Sequence, residues 1–333
     1  MIFVTGGTGF LGKHLLALLC RKGYELRVLT RTPHRHPWLD MYPNLQVIQG
    51  DIRDKALVRE SIKGCRYVVH AGGKFAFWGD EYDFEDTNVN GAQHIMDASR
   101  EYGIERVVHV STVALIGTPN KDGLVDENHP VNPQDPYQES KWQAEQIVQS
   151  YHTDYDVPVI ILRPGAFYGP LGNYAFNRLF FRDALRGLIV KLDGGNYVTF
   201  PVYTVDVAQA IELSLHKGRV GEVYNIVGDC MTHNEVFDTI KELSGIWYPK
   251  IPIPKQVVVP FSQLLTLISH ITKREPFYPI NLQSVIFNNW RVTNDKAIRE
   301  LGFTPTDFRV GAERTLQWYR EGMPEVIAEM ACS

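Results

Sequence analysis

The sequence predicts a doubly wound α/β fold: a parallel sheet covered by helices on both faces, with a smaller C-terminal lobe beside it. Three observations carry this expectation. Short apolar runs alternate with helical stretches through the first half of the 333 residues. Several of those runs are continuous in Val, Ile and Leu, as strands buried on both faces require. A glycine cluster follows the first run directly and opens the first helical stretch.

In chain order, "MIFVTGG" is a strand entering glycines. "FLGKHLLALLCRKG" is a helix, with Leu11, Leu15, Leu18 and Leu19 at helical spacing and Gly23 as its stop. "ELRVLT" and "LQVIQGD" are the second and third strands. "ALVRESIKG" is a helix, and "CRYVVHAGG" a fourth strand running into glycines. "GAQHIMDASREYG" is a helix closed by Gly103, and "RVVHVST" the fifth strand. "DPYQESKWQAE" starts a helix with Asp135 as N-cap. "VPVIILRPG" is the sixth strand. After Arg163 the rhythm breaks, and residues 167–200 are aromatic-rich and irregular. "TVDVAQAIELSL" and "EVYNIV" are one more helix and strand returning to the sheet. Beyond Gly228 the alternation ends and prolines cluster (Pro249, Pro252, Pro254, Pro260). The expected division is 1–166 together with 201–227 in the sheet domain, and 167–200 with 228–333 in the smaller lobe.

Composition narrows the partners. Hydrophobic residues are 44% and charged residues 22%, ordinary for a globular chain. A net charge of −4 offers no basic footprint for nucleic acid. Cys20, Cys65, Cys230 and Cys332 are scattered, with no Cys-x-x-Cys pair, so no zinc site is expected and a reducing compartment suits them. No apolar run reaches membrane-spanning length. The N-terminus reads directly as a strand, so no cleavable signal segment is expected. The expectation is a cytoplasmic protein without a metal, acting on a small molecule; a homodimer is compatible with it.

"TGGTGFLG" sets Gly6, Gly9 and Gly12 between a strand and its helix. Glycines there permit a tight turn and close backbone approach to a pyrophosphate, and the helix N-terminus adds amide donors. Farther on, Tyr137 and Lys141 stand four apart and so share one helix face. Alone this pair is weak, because about one Tyr-x-x-x-Lys arises by chance at this composition.

Taken together these features carry a resemblance. The Gly-x-x-Gly-x-x-Gly spacing and the Tyr/Lys pair resemble the extended short-chain dehydrogenase/reductases, whose sheet domain is of the Rossmann type. So do "GDIRD" at 50–54, "VVHAGG" at 68–73, "TNVNGA" at 87–92, "VSTVALIG" at 110–117, "LRPGAFYGP" at 162–170 and "YTVDVA" at 203–208. The resemblance spans nearly the whole chain. It implies an NAD(P)-dependent oxidoreductase with Tyr137 as general acid/base. Lys141 would lower its pKa and hold the nicotinamide ribose, and Thr112 would fix the substrate oxygen. It implies cofactor contacts at Gly6, Thr8, Gly9, Phe10, Leu11, Gly12, Asp51, Ile52, Ala71, Gly72, Gly73 and Pro164, besides Tyr137 and Lys141. Asn88 resembles a supporting asparagine of the family, and a helix-capping role fits it equally.

The end of the second strand selects the cofactor. An acid there would accept from the free 2′-hydroxyl of NAD, and an arginine would accommodate a 2′-phosphate. Here Arg31 stands at that place, with His34 and Arg35 close by, so NADP is expected and NAD remains open. The 4,6-dehydratases of the family place Asp-Glu after the threonine; this chain has Val113 and Ala114, which disfavours elimination chemistry.

The substrate is less legible. Phe75, Phe77, Trp78, Phe167, Tyr168, Tyr174 and Phe176 fall in loops after the fourth and sixth strands, where such folds bind ligands. Residues 257–273 read as an amphipathic helix that fits capping a pocket, lying peripherally on a membrane or simple packing. Residues 288–305 resemble the C-terminal part of 3β-hydroxysteroid dehydrogenases and dihydroflavonol reductases. These features favour an apolar alcohol or ketone. The alternatives are a nucleotide-sugar epimerase with tightly bound cofactor, and a cofactor-sensing binding protein.

Overall fold

β1 (Ile2–Thr5) enters α1 (Phe10–Arg21), followed by β2 (Leu26–Thr30), β3 (Leu45–Gln49), α2 (Lys55–Ile62) and β4 (Tyr67–His70). α3 (Gly91–Glu101), β5 (Arg106–Val110), α4 (Pro136–Tyr155), β6 (Val159–Pro164), α5 (Thr204–Lys217) and β7 (Val223–Ile226) complete the sheet domain. The computed structural model describes residues 1–118, 123–187, 191–246, 252–272, 274–276 and 279–326. The seven strands form one sheet in the order β7-β6-β5-β4-β1-β2-β3. Every pairing is parallel. The expected doubly wound fold is therefore observed.

The order reverses beside β1, whose neighbours are β2 and β4. Loops leaving those strands diverge to opposite faces, which opens a crevice at the C-terminal strand ends. One face of the sheet is covered by α1 and α5, through Leu15, Leu16, Leu19, Val207 and Ile211. The other is covered by α2, α3 and α4, through Val58, Ile62, Ile95, Met96, Ala144 and Val148. The continuous apolar strands follow from this: Val68 and Val107 serve one core, Val69 and Val108 the other.

The rest of the chain adds α6 (His233–Ser244), α7 (Lys255–Thr272), α8 (Asp295–Leu301) and α9 (Phe308–Arg320). A third core joins Tyr168, Phe176, Phe180, Phe181, Phe237 and Phe308. Two aromatics expected near the substrate, Tyr168 and Phe176, are thus core residues, 1% and 4% exposed. Ala297, Leu301 and Phe303 pack into the first core with α1 and α5, so residues 295–303 lie on the sheet domain rather than in the third core. Among the described residues, no helix is long and apolar enough to cross a membrane.

Candidate active site

Backbone close approach dictates the glycines of the first turn. Gly6 has φ of +74°, and a Cβ on it would sit 2.7 Å from the Ala71 carbonyl. A Cβ on Gly12 would lie 2.1 Å from the Gly6 oxygen. Gly9 is the N-cap of α1, with no side-chain cap and no acid in the first turn. The start of this 12-residue helix therefore offers uncapped amides to an anion. The Gly72 amide donates to Thr5 Oγ1 at 3.0 Å, fixing the β4 exit against the glycine turn. This cradle fits a dinucleotide pyrophosphate.

A cleft of about 740 Å³ opens over the turn. Of the residues expected at the cofactor, Gly6, Thr8, Gly9, Arg31, Asp51, Ile52, Gly72 and Gly73 line it. The others are not on that wall. Leu11 is in the first core and Gly12 packs on the turn. Phe10 stacks edge-on to Phe167. Ala71 abuts Gly6, and Pro164 ends β6. His36, Thr32, Arg53 and Lys74 also line the cleft and were not foreseen; His36 takes the place where His34 and Arg35 were expected. Arg53 pairs with Asp51 at 2.8 Å and reaches Asp86 at 3.5 Å. That pairing, with the charge of Arg31 nearby, holds the Asp51 carboxyl below its ordinary pKa. The only hint in the sequence was the two-residue spacing in "GDIRD".

Phe75, on the wall of the cleft, lies 4.9 Å from the ring of Tyr137 in α4. Asp135 accepts from the Gln138 amide at 2.9 Å and starts that helix as expected. The Tyr137 side chain faces that of Thr112, which follows β5 and whose Oγ1 accepts from the Ala114 amide at 3.1 Å. Lys141 is 6% exposed, and its Nζ donates to the Val110 carbonyl at 2.8 Å. The three residues expected to form the reacting centre are thus brought to one place, by α4 and the end of β5. Burial holds the Tyr137 phenol well above its usual pKa, and the Asp135 charge adds to this; the Thr112 hydroxyl opposes them. Burial lowers Lys141 to about 8, with Glu145 opposing. Near neutrality the site therefore presents a protonated phenol beside an ammonium.

Asn88 does not cap a helix. Its Oδ1 accepts from the Lys74 amide at 2.7 Å, and its Nδ2 donates to the Lys74 carbonyl at 3.1 Å and Ser140 Oγ at 2.9 Å. It ties the loop after β4 to α4. Beneath Lys141 lies a polar layer that needs strand register to be seen. His70 and His109 are paired across β4 and β5, with ring centroids 5.0 Å apart. His70 bonds Thr5 Oγ1 at 2.8 Å; burial first, and Lys141 second, lowers it to about 3. Deeper along α4, Glu145 and Arg163 form an ion pair, each about 4% exposed.

An aromatic wall stands over the phenol. Phe75 lies 4.9 Å from the Tyr137 ring, 5.2 Å from Phe77 and 5.7 Å from Tyr174. Among the described residues, no group of three or more His, Cys, Asp or Glu side chains is placed to hold a metal.

A dinucleotide cradle at the switch point of a doubly wound sheet defines a nicotinamide-dependent enzyme class. Residues 2–227 match the NAD dependent epimerase/dehydratase family. The chain belongs to that family, within the extended short-chain dehydrogenase/reductases. Its relatives differ in the chemistry their names record. A trifunctional UDP-glucose 4,6-dehydratase/3,5-epimerase/reductase of Arabidopsis thaliana is 28% identical over 96% of this chain, which spans only 47% of that protein. The sterol demethylase protein B of Methylococcus capsulatus is 27% identical over 96% of this chain and 98% of its own length. A farnesyl-dihydroquinoline-oxide ketoreductase of Stigmatella aurantiaca is 29% identical over 97% of this chain and 96% of its own. The dTDP-glucose 4,6-dehydratase DesIV of Streptomyces venezuelae, solved with NAD bound, superposes with a TM-score of 0.79 at 27% identity. That superposition covers 96% of this chain and 97% of DesIV.

Proposed function

We propose that this chain is an NADPH-preferring reductase that interconverts a ketone and a hydroxyl on an apolar small molecule. The observation that carries the reading is the Tyr137 phenol set against Thr112, on one helix with buried Lys141 and under a wall of Phe75, Phe77 and Tyr174. The nicotinamide, when bound, supplies hydride to the carbonyl carbon. Thr112 Oγ1 and Tyr137 Oη together orient the carbonyl oxygen. Tyr137 donates its proton to that oxygen, and the Lys141 ammonium stabilises the phenolate left behind. A phenol held protonated at neutral pH is the form that reduction requires. Behind Thr112, Val113 is 2% exposed and Ala114 carries no acid or base, so water elimination has no agent there. The sterol and ketoreductase names among the relatives agree with an apolar ketone. In this reading residues 1–166 with 201–227 hold the cofactor, and 167–200 with most of 228–333 enclose the substrate.

The NADP preference rests on Arg31. It makes no side-chain bond among the described residues and lines the cleft with Arg53 and His36. A charge-assisted contact to a 2′-phosphate contributes about 1.5–3 kcal/mol, which is roughly tenfold or more in affinity. Titration should show wild type binding NADPH tighter than NADH, and Arg31→Ala losing most of that preference. Equal wild-type affinities would remove the assignment.

Phe75 and Phe77 shape the substrate end. Replacing either with Ala should raise KM most for the bulkiest ketones, since about 25 cal/mol is lost per Å² of apolar contact. Phe176→Ala should act on stability instead, because its ring packs on Phe180 and Phe308 in the third core. Steady-state kinetics across a ketone size series checks this; a uniform KM would argue against an aromatic wall.

A further inference from the structure

α7 (Lys255–Thr272) is built inside out for a helix of a globular protein. Its packed side carries small hydroxyl residues: Ser262 is 0% and Ser269 4% exposed. Ser262 accepts from Gln283 Nε2 at 2.7 Å, and Ser269 Oγ donates to the Leu265 carbonyl at 2.9 Å. Its outer side carries the large apolar residues. Val257, Phe261, Leu264, Leu267, Ile268 and Ile271 are 58%, 53%, 54%, 62%, 44% and 79% exposed. Their spacing of three and four makes one continuous stripe. Six large apolar residues exposed side by side form a contiguous patch, of the kind that marks an interaction surface rather than scattered surface residues.

Charge says what covers the stripe. The helix contains no Asp or Glu, and the exposed cations Lys255 and Arg274 bracket its two ends. The stripe itself holds no acid, and Glu275, beside Arg274, is engaged by the Tyr174 hydroxyl. An apolar stripe with a cation at each end matches an anionic lipid surface, where the rings and branched chains enter the acyl boundary and the cations meet headgroups. A second copy of the chain would set the same cations against themselves. The helix also borders the candidate active site. Its Val258 shares a small core with Leu192 and Ile286, against which Phe77 packs. Just beyond its end, Glu275 accepts a hydrogen bond from Tyr174 of the aromatic wall.

We propose that α7 seats this protein peripherally on anionic membranes through its outer stripe, bringing the aromatic wall close to the lipid surface. The docking claim stands independently of the reaction assigned above. The test is co-flotation of the full chain with vesicles of phosphatidylcholine, alone and mixed with phosphatidylglycerol. Wild type should float with the mixed vesicles, less at high salt. Leu264→Ser/Leu267→Ser/Ile271→Ser should bind at least tenfold more weakly. Because these side chains are exposed, its melting temperature and NADPH affinity should match wild type. Lys255→Glu/Arg274→Glu should lose the preference for phosphatidylglycerol. No flotation of wild type, or undiminished flotation of the triple variant, would overturn the proposal. So would a wild-type dimer, by sedimentation, that the triple variant converts to monomer without any vesicle binding.

Discussion

Tyr137→Phe should lower turnover of an apolar ketone by roughly 10³-fold, within the range for loss of a positioned general acid. Cofactor affinity should stay close to wild type. The ring is retained, so its packing against Phe75 at 4.9 Å and Phe84 at 6.3 Å is retained too. Only the hydroxyl that faces Thr112 is removed. The loss should therefore appear in kcat, with equal loss in kcat/KM, as for an interaction made in the transition state. Cofactor titration and steady-state kinetics on the same preparation check this. Retained wild-type turnover would place the proton donor elsewhere.

Lys141→Met should damage both turnover and cofactor affinity. The ammonium is the charge available to a forming phenolate, and it donates to the Val110 carbonyl at 2.8 Å. Turnover should fall roughly 10²-fold or more, the lower end for loss of an acid–base partner. A second signature separates this residue from an ordinary packing residue. Burial lowers the folded-state pKa of Lys141 to about 8 from 10.5. Below pH 8 the lysine is charged in both folded and unfolded chains, and folding bears its burial. Between pH 8 and 10.5 the unfolded chain holds a proton that the folded chain has released, so stability rises with pH there. Lys141→Met lacks this term. Denaturant unfolding of the cofactor-free proteins at pH 7.5 and pH 10 (set by the pKa values above) should show wild type gaining on the variant as pH increases. An unchanged difference would mean that Lys141 is not held down by burial.

The elements that position the site were legible because each obeys a local rule. The glycine turn follows a strand directly, the apolar strands are buried on both faces, and Asp135 caps α4 as its side chain predicts. What escaped depends on contacts distant in sequence. Phe75 and Phe176 are both loop aromatics, yet one is 46% exposed over the phenol and the other 4% exposed in a core. No local pattern separates them, since the third core is assembled from residues 166–185, 203–205, 231–246 and 308–319. The basic rim of the cleft is similar: a short helical turn through Pro33–Arg35 carries His36, rather than His34 or Arg35, to the cleft. The His70–His109 pair required the β4–β5 register. For α7, the periodicity identified a two-faced helix, but only packing revealed that its hydroxyl face lies inward.

On the proposed function, this chain reduces an apolar ketone with net consumption of cofactor. The most direct measurement follows NADPH absorbance while the purified protein is mixed with steroid-, flavonoid- and fatty-chain-type ketones, with UDP- and dTDP-sugars run alongside. The expected result is NADPH oxidation matched by hydroxyl product from at least one apolar ketone, and no turnover of the nucleotide sugars. Epimerised nucleotide sugar, formed with no net NADPH oxidation and with cofactor retained on the protein, would contradict it.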